Sequence, residues 1–99
     1  VEKALRIAGT DLAEPNAVIG LGFMGLVHSL LLPNAVAFEV NEARIEHARS
    51  LGIDARSSVG NLDAVKDSFE SVFVCPGSQK AFDLALSLVR PGGTIVMFA

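Results

Sequence analysis

The sequence predicts an α/β fold: a doubly wound parallel sheet of about five strands with helices on both faces. Three observations carry this. Short apolar runs of strand length alternate with segments whose apolar residues recur at helical spacing. The strand-like runs are apolar on both faces, as strands are when helices cover a sheet from two sides. The stretch VIGLGFMG, Val18 to Gly25, sets three glycines between one such strand and the helix that follows.

The first segment, Val1 to Ala8, puts Val1, Ala4, Leu5 and Ala8 on one helical face, and Gly9 to Asn16 is a polar connector. Ala17 to Leu21 is a brief apolar strand that ends in the glycines. Met24 to Leu32 is helical until Pro33-Asn34 stops it. Ala35 to Val40 (AVAFEV) is the next strand, with an acid near its end.

Asn41 caps the helix Glu42 to Leu51, because its side chain can accept from the free amides of the first turn, and Glu42 suits the helix dipole. Ile45, Ala48 and Leu51 form the buried stripe of that helix, and Gly52 supplies the left-handed residue that ends it. A short third strand is expected near Asp54 to Ser57, followed by irregular chain or a weak helical turn. Ser71 to Cys75 reads as a buried strand broken by Pro76-Gly77. Ser78 caps a helix over Gln79 to Val89 with Phe82, Ala85 or Leu86, and Val89 inward. Arg90 to Gly93 (RPGG) is a turn, and Thr94 to Phe98 is the last strand.

The totals bound the possibilities. With 99 residues, 51% of them hydrophobic, the chain has material for one core and one domain. A formal net charge of −3 and eight Lys and Arg scattered singly argue against a nucleic-acid partner. Apolar runs fall far short of the ~20 residues of a membrane span, and no basic-then-apolar signal opens the chain. The expectation is no membrane and a cytoplasmic location. One cysteine forms no internal disulfide and suits a reducing compartment. The opening VEKALRIAG lacks an initiating Met, so residues 1–99 are expected to be a fragment of something longer, a single domain of it.

Gly20, Gly22 and Gly25 follow the spacing G-x-G-x-x-G between strand and helix, the context in which that pattern binds a dinucleotide. Gly20 permits the sharp turn, Gly22 lets the pyrophosphate approach the main chain, and Gly25 lets helix and sheet pack closely. The amides of Phe23 and Met24 then face the phosphate from the positive end of the helix. Glu39 stands close to the spacing of about 20 residues after the first glycine at which an acid binds the adenosine ribose. A carboxylate there favours NAD over NADP, whose extra phosphate would meet like charge.

Taken together, VIGLGFMGLVHS, then FEVNEARIEHARSLGID, then VFVCPGSQKAFDLALSLVRPGGTIVMFA resemble the nucleotide-binding, Rossmann-like domain of the zinc-dependent alcohol and polyol dehydrogenases, the medium-chain dehydrogenase/reductase family. The resemblance covers Val18 to Ala99. It implies an NAD(H)-binding domain that positions nicotinamide for hydride transfer with an alcohol or polyol. It further implies that Glu39 holds the adenosine ribose, that Arg44 lies against the adenosine portion, that Cys75 and Pro76 stand beside the cofactor, and that Phe98 and Ala99 lie towards the nicotinamide. It implies zinc bound only by a separate catalytic domain of the parent enzyme, a homo-oligomeric parent, and no catalysis by the 99 residues alone.

Some features depart from the family pattern: a short helix after the glycines, a compressed Arg56 to Glu70 region, and five strands where the family has six. Cys75, His28 and His47 offer no metal-binding spacing. His28 is expected in the core and His47 in solvent. Two other classes use similar turns: a regulatory NAD-sensing module without catalysis, and an S-adenosylmethionine-dependent methyltransferase domain. The RPGG turn and last strand favour the dehydrogenase, and a glycine opening the helix at the dinucleotide position disfavours the methyltransferase.

Overall fold

The computed structural model describes residues 14–75 and 78–98, so the expected helix at Val1 to Ala8 lies outside the described residues. The elements in chain order are β1 (Asn16–Ile19), α1 (Phe23–Leu31), β2 (Ala35–Glu39), α2 (Glu42–Ser50), β3 (Asp54–Ser57), a 3-10 turn (Asp63–Val65), β4 (Phe69–Val74), α3 (Gln79–Leu88) and β5 (Val89–Met97). All pairings are parallel, in the order β3-β2-β1-β4-β5. The chain therefore leaves β1 in one direction and β4 in the other. Their shared carboxyl end is the topological switch point, where sheets of this kind open a crevice.

Side chains alternate across the strands and build a core on each face. On one face Val18, Ala37, Ala55, Phe73 and Cys75 pack with Leu26 of α1 and with Ile45 and Ala48 of α2. On the other, Ala17, Ile19, Phe38, Val72 and Val74 meet Ala85 and Leu88 of α3 together with Leu62 and Val65 around the 3-10 turn. Both faces being covered is what the doubly apolar strands require.

Helix limits follow local chemistry. Asn41 accepts from the Arg44 amide at 3.2 Å and Ser78 from the Ala81 amide at 3.1 Å, so both caps act as the sequence predicts. Gly52 ends α2 with φ +85. Leu51, expected in the buried stripe of α2, is the C-cap residue and 46% exposed, because it lies past the last helical turn. In α3 the inward positions are Ala85 and Leu88; Leu86 faces out, and Val89 has already entered β5.

β4 starts two residues earlier than expected, since Phe69 packs edge-on against Phe38 and Glu70 engages Arg90 at 2.6 Å. The RPGG turn is a bulge inside the β4–β5 ladder: Phe69 pairs with Val89 and Ser71 with Thr94, so residues 90–93 are looped out. Gly93 is required there, because a Cβ would fall 2.6 Å from the Glu70 carbonyl oxygen.

Candidate functional site

The three glycines serve three different physical ends. Gly20 has φ +94, a left-handed conformation that ordinary residues adopt only with strain, and its amide donates to the Phe38 carbonyl at 2.9 Å. Gly25 lies where α1 crosses the turn so closely that a Cβ would sit 1.7 Å from the Gly20 carbonyl oxygen. Gly22 needs neither freedom. It has ordinary extended dihedrals, φ −69 and ψ −169, and a Cβ built on it meets nothing within 4 Å. The protein's own packing therefore does not ask for glycine at position 22, and the space before its main chain is open.

Gly22 is also the N-cap of α1. No side chain caps this helix, and its first turn carries no acid. The first-turn amides of Phe23 and Met24 consequently present partial positive charge towards the open space. The Phe23 side chain takes no part in the core and is 79% exposed.

Glu39 ends β2 and points into this turn. Its Oε1 accepts from the Leu21 amide at 2.8 Å, and Oε2 accepts from the amides of Val40 at 2.8 Å and Asn41 at 2.9 Å. Arg44, on the first turn of α2, brings a guanidinium nitrogen to 3.8 Å from Oε1. Burial by itself raises the carboxyl pKa; the amides of Asn41, Leu21 and Val40 and then the Arg44 charge outweigh it, and the net pKa lies below the ordinary value.

A carboxyl with a depressed folded-state pKa stabilises the fold above its unfolded-state pKa, and that contribution is lost as pH falls through the lower folded value. Glu39→Gln is accordingly expected to lower Tm at pH 7 and to lower it less as pH drops below the ordinary glutamate value of about 4.3. Thermal unfolding of both proteins across that range checks the sign; a deficit that grows on acidification contradicts it.

Next to Glu39 a cavity of about 500 Å³ opens between the carboxyl ends of the strands, lined among others by Ile19, Val40, Arg44, Val59, Lys80 and Leu84. A second depression, of about 670 Å³, lies at the opposite, amino end of β2 and β3, around Leu30, Asn34 and Leu51. Of the two, the first adjoins the switch point and touches the glycine turn at Gly20.

The structure thus brings together Gly20, Gly22, Phe23, Met24, Gly25, Glu39 and Arg44. Cys75 sits at the same end of the sheet, its amide bonded to the Ile19 carbonyl at 2.8 Å, but its side chain is buried and burial pushes the thiol pKa up to about 11. It packs in the core of that face, where burial disfavours the thiolate form that a nucleophile needs. Phe98 continues β5, donates to the Val74 carbonyl at 3.0 Å, and packs its ring 4.9 Å from that of His28 beneath α1. Pro76 and Ala99 lie outside the described residues. His28 is fully buried, with Nδ1 at 2.7 Å from the Met24 carbonyl, and His47 is exposed. Among the described residues no group of three or more His, Cys, Asp or Glu stands where it could hold a metal ion.

Sequence reading did not find Val59, Lys80 or the Leu21 amide as parts of the site. Val59 and Lys80 reach it from segments after β3 and β4, and neither carries a motif. The Leu21 amide leaves no signal in a side-chain alphabet.

Strand order and glycine turn define a Rossmann-like α/β domain. Residues 18–99 match the zinc-binding dehydrogenase family, and the chain belongs to that family. It is 28% identical, over 97% of its length, to an alcohol dehydrogenase of Moraxella sp. (strain TAE123). Among solved structures, alcohol dehydrogenase TADH from Thermus sp. ATN1 superposes with a TM-score of 0.77 at 28% identity over 93% of this chain. Acetophenone reductase from Geotrichum candidum NBRC 4597, determined in complex with NAD, superposes at 0.75 with 25% identity, again over 93% of this chain. The chain spans 31% of the first two relatives and 28% of the third. The family resemblance read from the sequence therefore holds.

Proposed function

We propose that residues 1–99 form the NAD(H)-binding domain of a larger oxidoreductase acting on alcohols or the corresponding carbonyl compounds. The observation that carries this reading is Gly22: a glycine that the fold does not need, set before uncapped helix amides and beside a buried carboxylate. A pyrophosphate is doubly anionic and must come within hydrogen-bond distance of main-chain nitrogens, so it needs that missing side chain. Glu39 meets the adenosine ribose hydroxyls with the acceptor capacity that Oε1 retains, and disfavours an added 2′-phosphate. Arg44 and Lys80 flank the adenosine end.

The nicotinamide, when bound, supplies the hydride chemistry. This chain's own residues bind and orient the dinucleotide, and among the described residues no group of three or more His, Cys, Asp or Glu is placed to hold a metal ion. We place zinc and the substrate pocket in a part of the parent enzyme outside these residues.

Titration of the protein with NADH, NADPH and S-adenosylmethionine, followed by NADH fluorescence and thermal shift, tests this. Saturable binding of NADH, tighter than that of NADPH, is expected. Preference for S-adenosylmethionine, or no binding of any dinucleotide, contradicts the reading.

A further inference from the structure

We propose that Glu39 is also a positioning residue for the phosphate end of the site, acting through the main chain of the glycine turn as well as on the sugar beside it. This rests on the dinucleotide reading above and adds a role to it. A turn built as Gly20-Leu21-Gly22 has little intrinsic stiffness, because glycine places few limits on its dihedrals. The amides pointing at the phosphate can be aimed only if something outside the turn holds it.

Two hydrogen bonds do so, and both go to the end of β2. The Gly20 amide donates to the Phe38 carbonyl at 2.9 Å, and the Leu21 amide donates to Glu39 Oε1 at 2.8 Å. The next main-chain bond is already the first of helix α1, from the Leu26 amide to the Gly22 carbonyl at 3.0 Å. Leu21 is held at its other end as well, since its side chain is 2% exposed in the core beneath α1 and α2. Of these restraints, only the bond to Glu39 depends on a side chain's polar group.

The carboxylate is itself fixed. Oε2 is bonded to the Val40 and Asn41 amides, so Oε1 cannot swing away from Leu21 without breaking two further bonds. Arg44, 57% exposed and 3.8 Å distant, is a weaker restraint than any of the three amides. One buried side chain therefore ties together the β1–α1 turn, the end of β2 and the start of α2. A glutamine at this position offers one acceptor oxygen where three amides converge on two: with that oxygen kept on Val40 and Asn41, its NH2 group faces the Leu21 amide, which is left buried without an acceptor, and the turn must shift to find one.

The consequence is specific: Glu39 should matter to a ligand that never touches it. Reduced nicotinamide mononucleotide has a phosphate and the nicotinamide ribose but no adenosine. Its affinity, measured by fluorescence beside that of NADH, is compared in the wild type, Glu39→Gln and Glu39→Asp, with Tm recorded for each. Aspartate keeps the charge and the local bonds to Val40 and Asn41, but is one methylene too short to reach Leu21.

Both variants are expected to bind the mononucleotide about tenfold more weakly, the scale of one lost charge-assisted hydrogen bond. Equal affinity for the mononucleotide in all three proteins, with only NADH weakened, overturns the positioning role and leaves the dinucleotide reading intact. Failure of the wild type to bind NADH overturns that reading first. Should both variants fail to fold, amide exchange in the ligand-free wild type decides: a slow Leu21 amide is expected, and an unprotected one overturns the proposal.

Discussion

Gly25→Ala is expected to destabilise the domain by about 3 kcal/mol or more, at the upper end of what overpacking a closed site costs. The added methyl would lie 1.7 Å from the Gly20 carbonyl oxygen and 2.8 Å from its carbon. Those are main-chain atoms of a turn pinned to β2, so no flexible side chain can yield. Nor can α1 lift away freely. Leu26 and the fully buried His28 pack on the sheet side, and Ser29 Oγ donates to the Gly25 carbonyl at 2.7 Å. For a domain of this size the loss corresponds to a fall in Tm of roughly 12 °C or more. Thermal or urea unfolding reads it directly; a Tm within a few degrees of wild type means that helix and turn do not approach as described.

Gly22→Ala is expected to do the reverse, keeping the fold and losing the ligand. Its methyl meets no atom within 4 Å, and dihedrals of −69 and −169 suit alanine. Alanine is a poorer N-cap than glycine, but it restricts the unfolded chain, and the two effects offset each other to within about 1 kcal/mol. The same methyl stands where a pyrophosphate would have to approach the main chain. NADH affinity should fall at least about tenfold, roughly 1.4 kcal/mol, with Tm little changed. Undiminished NADH binding by a folded Gly22→Ala protein would show that the space before Gly22 is not used.

The contrast between these two substitutions shows what the sequence could reveal and what it could not. Spelling alone makes Gly20, Gly22 and Gly25 equivalent members of one pattern. Only the folded structure separates a glycine required by its dihedrals, one required by a helix crossing, and one that the fold leaves unexplained. The alternation of strands and helices was legible because burial on both faces leaves continuous apolar runs, as in Val72 to Val74, and because Asn41, Gly52 and Ser78 are strong local stop and start signals.

Boundaries set by tertiary contacts were less legible. Phe69 joins β4 where its ring meets that of Phe38, and residues 90–93 form a bulge within the ladder in which Gly93 lies too close to the Glu70 carbonyl for any side chain. Glu39 was recognisable by its spacing, whereas its three amide partners were not, since main-chain donors look alike at every position. Val59 and Lys80 entered the site only once β3 and α3 had been placed.

The most direct test follows main-chain amide resonances of the ¹⁵N-labelled protein as NADH is added. The largest shifts are predicted at Gly20 to Gly25, with a second group at Glu39 to Asn41 and at Val59. Shifts confined to the opposite end of the sheet, around Leu30, Asn34 and Leu51, would contradict the claim that the open space before Gly22 receives a dinucleotide.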